Sequence, residues 1–213
     1  MSPLQKMFIL FLLNGLALGG AGACLAGEKR PEPPSSELLA SSPFVSATFS
    51  YSREPEKTLV SISSFGMSGA RYTVYLYGDN RLVFKKLYGE KAVEESTVKI
   101  SQADTERILR ICVDFGLAEW DMTRVQAKQL EKTGGHLYSG IPSDSVRDTI
   151  LISLEDYSRG DYQVPHLERE IQFQGAFVAN RLYPPILEIR GIVELRREIH
   201  RLREAAEGSG ETE

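Results

Sequence analysis

Three histidines are the side chains of this chain best suited to acid–base or metal chemistry, and they stand far apart, at His136, His166 and His200. No His-x-x-x-His or Cys-x-x-Cys pair occurs that would place two zinc ligands on one turn. His200 falls in a charged segment typical of a solvated helix, and His166 follows Pro165 in a predicted loop. The sequence predicts no metal site and no cofactor.

Of the three histidines, His136 is the one whose neighbours in sequence offer both hydroxyl and carboxyl groups for a catalytic arrangement. It lies in the segment 132–145, which is rich in glycine and hydroxyl residues and predicts a mobile loop. A Ser-His-Asp arrangement could be drawn there from His136 and the neighbouring Tyr138, Ser139, Asp144 and Ser145. Composition alone often produces such groupings, so we assign no catalytic residue. A secreted or periplasmic hydrolase using this loop remains the alternative.

The N-terminal segment has the pattern of a secretory signal peptide. Lys6 precedes an apolar run from Met7 to Leu13, and small residues follow up to Ala23. Asn14 and several glycines interrupt the apolar stretch, whereas a membrane-spanning helix needs about 20 predominantly apolar residues. We expect residues 1–23 to be a cleaved signal peptide.

Cys24 follows Ala21-Gly22-Ala23, and this context allows two forms of cleavage. The small residues suit ordinary signal peptidase, which would release a soluble periplasmic or secreted protein. The same residues before a cysteine resemble a bacterial lipobox, although Ala21 stands where Leu is usual. In that case the Cys24 thiol becomes the lipid attachment point. We expect a protein of the cell envelope that is anchored to a membrane through lipid on Cys24.

The residues after Cys24 predict a spacer. Residues 25–43 contain four prolines, five charged residues and four serines, a composition that cannot bury enough apolar surface to become ordered. The sequence therefore predicts a disordered tether over 24–43, a single domain over 44–206 and a disordered tail over 207–213. Cys112 is then the only cysteine of the domain, and its position in a helical pattern predicts a small buried side chain.

The net charge of −4 argues against nucleic acid as a partner, because phosphate binding needs clustered basic residues. No run of the chain contains more than two consecutive Lys or Arg residues.

Alternating apolar and polar residues predict several β-strands. The clearest pair is Tyr72–Tyr77 and Arg81–Lys86, joined by a Gly78-Asp79-Asn80 turn. Period-2 alternation places Thr73, Tyr75 and Tyr77 on one face and Tyr72, Val74 and Leu76 on the other. One face should be core. The tyrosine-rich face is either covered or a recognition surface. The other predicted strands are 44–51, 58–64, 93–100, 148–155, 162–164 and 169–173.

Two helices are predicted. Ser101 and Asp104 form a capping box, and Gly116 supplies the stop of the first helix. The second helix begins at Pro184-Pro185 and carries the apolar stripe Ile192, Leu195, Ile199, Leu202 and Ala206. These elements predict an α+β fold, an antiparallel sheet with two main helices packed on it.

The segment from Ser64 to Tyr72 reads SFGMSGARY and continues into the hairpin. It resembles a bacterial envelope domain family of unknown function whose members carry a Cys-Phe-Gly-x-Cys-Pro-x-Tyr motif. Ser64 and Ser68 replace the two cysteines here, so any disulfide or redox role is absent. The resemblance implies that Gly66 sets the loop geometry and that Phe65 anchors the loop in the core.

No motif of an enzyme family is present in the chain, which also lacks the Walker order and Gly-x-Ser-x-Gly. We therefore expect a non-catalytic envelope protein that binds another protein or an envelope component. The sequence does not identify this partner.

Overall fold

The alternating segments form a single antiparallel sheet. The structure is a computed structural model that describes residues 46–65, 70–134, 145–182 and 186–209. Its seven strands are β1 (Thr48–Ser50), β2 (Thr58–Phe65), β3 (Ala70–Tyr77), β4 (Arg81–Tyr88), β5 (Lys91–Lys99), β6 (Arg147–Arg159) and β7 (Tyr162–Gln174). The predicted signal peptide and tether, including Cys24, lie outside the described residues.

The long strand β6 organises the sheet. Along one edge it pairs with β7, from Arg147 to Arg159. Its other edge is shared by two short strands, because β2 pairs with its first half and β1 with its second half. From β2 the sheet continues through β3 and β4 to β5. Two strands distant from β6 in sequence thus occupy the same edge of it.

The β6–β7 hairpin differs from the prediction of separate short strands. Tyr162–Gln174 is one strand of 13 residues, and His166 belongs to it instead of to a loop. Pro165 and His166 obscured the pattern, since proline is disfavoured within strands. β7 tolerates them because its outer edge has no strand partner in the described part of the chain, and His166 takes a positive φ of 52°.

Four helices are described: α1 (Gln102–Asp114), α2 (Met122–Lys132), α3 (Ala176–Leu182) and α4 (Leu187–Ser209). The capping box is confirmed, since the Ser101 hydroxyl accepts from the Asp104 N–H at 3.1 Å. Gly116 follows α1 with a φ of 74°. The predicted start of the last helix at Pro184-Pro185 lies outside the described residues, and α4 continues past Ala206 to Ser209.

The sequence did not predict α2. Only Val125 and Gln129 of this helix are buried, so its apolar stripe is too thin to be recognised. Tertiary contacts and the Asp121 cap hold it in place: the Asp121 carboxylate accepts from the N–H groups of Thr123 and Arg124 at 2.8 and 3.2 Å.

The helices contribute to one hydrophobic core with one face of the sheet. The α4 stripe from Ile192 to Leu202 is buried in this core. Trp120, after α1, also turns into the core as predicted and meets Phe173 edge to face with a centroid distance of 5.7 Å. The fold is α+β, as the sequence predicts. In the described part of the chain, no helix has the length and apolar character required to cross a membrane.

Candidate functional site

The residues considered for catalysis are only partly described. His136, Tyr138, Ser139 and Asp144 lie outside the described residues, so the structure brings none of them together with another group. Ser145 is described and precedes β6. His200 lies on α4 with its imidazole 71% exposed, 3.2 Å from the Glu204 carboxylate, which agrees with a solvated side chain.

Cys112 is a structural residue. It is fully buried on α1, as predicted, and burial raises the pKa of its thiol to about 12. A thiol needs a lowered pKa to react as a thiolate. This environment makes Cys112 an inert apolar side chain.

Three buried carboxylates were not singled out from the sequence. Glu119 accepts a hydrogen bond from the Tyr157 hydroxyl and lies 3.4 Å from Arg159 Nη1. Burial and this hydrogen bond raise the pKa of Tyr157 well above its ordinary value. The phenol therefore stays protonated as a donor to Glu119, which is a structural role.

The other two carboxylates are also paired with cations. Glu188 of α4 lies 2.7 Å from Lys128 Nζ and 3.3 Å from Arg124 Nη2, which joins α4 to α2. Asp148 of β6 accepts from Arg196 at 2.9 and 3.0 Å and from the Ser64 hydroxyl at 2.6 Å. Charges buried in this way must be paired, because the desolvation of a lone charge is costly. These clusters bind elements of the fold together.

Two cavities of the described residues are small. They have volumes of about 180 and 210 Å³, whereas pockets for small ligands span roughly 300–1,000 Å³. The first lies beside His166 and Lys57, and the second beside the β3–β4 turn. Within the described ranges, no group of three or more His, Cys, Asp or Glu residues is arranged to hold a metal ion.

The feature best suited to binding is the sheet face turned away from the core. Residues that are paired in register on neighbouring strands point to the same side of the sheet, so they form rows across this face. Thr73, Tyr75 and Tyr77 lie on it, on the side opposite Leu76, so the predicted division of β3 into two faces is confirmed. Thr73 is itself buried there, and the two tyrosines are half-buried. We call it the open face.

The open face carries exposed apolar side chains. Leu151 is 46% exposed, and Phe65 is 55% exposed. The rings of Tyr75 and Tyr77 stack with centroids 6.1 Å apart, and Lys85 and Arg81 lie over them at 5.9 and 5.1 Å. Aromatic and arginine side chains are the residues enriched at protein interfaces.

Phe65 corrects the role implied by the family resemblance. It does not anchor a loop in the core, because β2 continues to Phe65 and period 2 places its ring with Ser61 and Ser63 on the open face. Gly66, the other residue of that motif, lies outside the described residues.

The exposed row at the end of β2 combines an aromatic ring with two cations. Phe65 pairs in register with Arg147 of β6 on one side and Arg71 of β3 on the other. Both arginines are exposed. We call Arg147, Phe65 and Arg71 the Phe65 row. The sequence contained one signal for it, the alternation of β2, but nothing that identified its neighbours.

No protein-family model matches this chain, and no curated protein is similar enough to it in sequence to count as a match. The resemblance based on Ser64–Tyr72 therefore stays a prediction.

Proposed function

We propose that the chain is an exported, lipid-anchored, non-catalytic protein of the cell envelope that binds another protein or an envelope component through its open face. The observation that carries the binding part is the open face itself. It exposes Phe65 and Leu151 on a sheet whose opposite face is buried in the core. Aromatic and arginine side chains are enriched at protein interfaces, and Phe65, Arg71 and Arg147 supply both kinds on this face.

The order of segments supports the location. An apolar signal pattern, a cysteine at position 24 and a polar, proline-rich stretch precede the domain. A single acyl chain gives only marginal membrane affinity, whereas the diacylglycerol that a lipobox cysteine receives carries two chains, as stable anchoring requires. The intervening residues would then give the open face freedom to reach a partner.

The location is tested by the mass of the mature protein expressed in a bacterial host. We expect a chain that begins at Cys24 and carries a lipid-sized increment, which Cys24→Ala removes. An unmodified mature chain would refute the anchor and leave a soluble exported protein.

The binding surface is tested by photo-crosslinking in the same cells. A photoreactive residue at Leu151, on the open face, should give a discrete crosslinked product. The matched control is Met122, an exposed apolar residue of comparable size on α2. Equal crosslinking from both positions, or none from Leu151, would contradict a role of the open face.

The hydrolase alternative predicts a different outcome. If the 132–145 loop were catalytic, His136→Ala and Asp144→Ala would each abolish an ester- or amide-cleaving activity without unfolding the domain. Any such activity that survives both substitutions would eliminate this alternative.

A further inference from the structure

The charges on the open face are unevenly compensated. Lys85 lies 3.2 Å from Glu95, Arg81 lies 2.6 Å from Asp79, and Lys57 lies 3.9 Å from Glu168. Arg71 and Arg147 have no acidic side chain within ion-pair distance among the described residues, although both are exposed. Among the described residues, the Phe65 row therefore places two exposed arginines without an ion-pair partner close together on this face.

The spacing of Arg147 and Arg71 determines which kind of ligand could neutralise both charges. Arg147 and Arg71 lie on strands either side of β2, so their backbones are separated by about 9.5 Å, twice the strand spacing. Phe65 fills the interval between them. A complementary ligand presents two carboxylates on either side of an apolar group, since guanidinium binds carboxylate through paired hydrogen bonds.

A protein segment satisfies this chemistry better than a membrane. An anionic lipid surface laid on the open face would also meet Glu170, which shares the face through its register with Leu151 and has no cation within ion-pair distance among the described residues. Its negative charge would repel the lipid headgroups. A polypeptide places its charges locally and can avoid this carboxylate.

A small molecule is also disfavoured. The two cavities described above involve neither Arg71, Phe65 nor Arg147. Side chains that stand beside one another on a sheet face, outside both of these cavities, offer contact area without enclosure, which suits a polypeptide more than a compact ligand.

We infer that the Phe65 row binds an acidic segment of a partner protein in which two carboxylate side chains flank an apolar one. This rests on the proposed function only for the existence of a protein partner in the envelope. The chemistry of the row itself does not depend on lipid attachment or export.

The test uses short fluorescein-labelled peptides and the purified domain with its tether. One peptide repeats Glu-Ser-Leu-Ser, so that in an extended conformation Glu and Leu alternate along one side, and the other repeats Lys-Ser-Leu-Ser. We expect the Glu peptide alone to raise fluorescence anisotropy, with an affinity that weakens as salt is added. Arg71→Gln/Arg147→Gln should weaken it about tenfold, Arg71→Lys/Arg147→Lys should weaken it less, and Phe65→Ser should also weaken it.

The matched control is Arg53→Gln/Arg197→Gln. This pair removes the same charge from exposed arginines outside the row and should leave peptide affinity unchanged. Circular dichroism of every variant separates lost binding from lost fold. Equal affinity for both peptides, or an equal loss in the row and control variants, would overturn the inference.

Vesicles provide the remaining outcome. Phosphatidylcholine vesicles with phosphatidylglycerol should bind no better than those without it. Binding to the anionic vesicles that depends on Arg71 and Arg147, without binding of the Glu peptide, would replace the protein partner with a membrane.

If the mature protein proves unlipidated but the Glu peptide binds, the proposed membrane anchor is refuted, whereas the inference that the Phe65 row binds an acidic segment is supported. If crosslinking from Leu151 succeeds but the peptide does not bind, only the partner's chemistry fails.

Discussion

The two faces of the sheet are built from adjacent residues of the same strands, yet they have opposite properties. On β6, Ile150 is completely buried and its neighbour Leu151 is 46% exposed. The covered face contains the buried Asp148–Arg196 pair, whereas the open face contains exposed pairs such as Lys85–Glu95. The comparison indicates that the covered face carries most of the stability of the fold, whereas side chains such as Leu151 on the open face remain accessible to a partner.

The sharpest test compares two neighbouring apolar residues. Ile150→Ala should lower the free energy of unfolding by about 3 kcal/mol, because it leaves a cavity in a packed core. Leu151→Ala should lower it by less than about 1 kcal/mol, because the side chain is already hydrated. Urea unfolding of both variants measures the difference. Similar losses would mean that the open face is covered in the folded protein.

The buried ion pair should give the next largest effect. Asp148→Ala removes the acceptor of both Arg196 and Ser64 and should cost about 2–3 kcal/mol, less than for a fully buried pair because Arg196 can turn toward water. Glu95→Ala is the control on the open face, where an exposed pair is worth less than about 1 kcal/mol. An equal cost for the two would remove the energetic distinction between the faces.

The surface ion pairs between α1 and α4 predict a pH dependence. Hydrogen bonding from Arg201 lowers the pKa of Glu198, and Arg107 acts in the same direction. A carboxylate with a lowered folded-state pKa stabilises the fold above its unfolded pKa of about 4 and loses this contribution as pH falls through the folded value. Glu198→Gln should therefore be less stable than the parent protein at neutral pH.

The pH dependence of Glu198→Gln provides the control for that variant. The difference in urea midpoint between the parent and Glu198→Gln should shrink as the pH is lowered below about 4. A difference that is independent of pH would show that the variant acts through packing instead of charge.

The smallest stability effect is expected at Phe65. Phe65→Ala should change the free energy of unfolding by less than about 1 kcal/mol, since the ring lies on the open face and is 55% exposed. Phe173→Ala, on the covered face against Trp120, should cost about 3 kcal/mol. A large loss at Phe65, measured by thermal or urea unfolding, would restore the anchoring role that the family resemblance implies.

Local patterns in the sequence were sufficient for several elements. The capping residues Ser101 and Asp104, the Gly78–Asn80 turn and the α4 stripe each depend on groups a few residues apart, so their chemistry can be recognised without the fold. Alternation likewise separated Thr73, Tyr75 and Tyr77 from Leu76. These local rules already determined an α+β protein with a two-sided sheet.

Only the tertiary structure decided which face of the sheet is buried in the core and which residues come together on each face. Alternation shows that two faces differ, but Tyr75 and Leu76 are both apolar enough for a core, and the choice depends on where the helices pack. The Phe65 row requires β6 to pair with β2, strands widely separated in sequence. The buried contact of Tyr157 with Glu119 has the same origin. Such contacts arise from the pairing of distant strands and helices, which no local periodicity specifies.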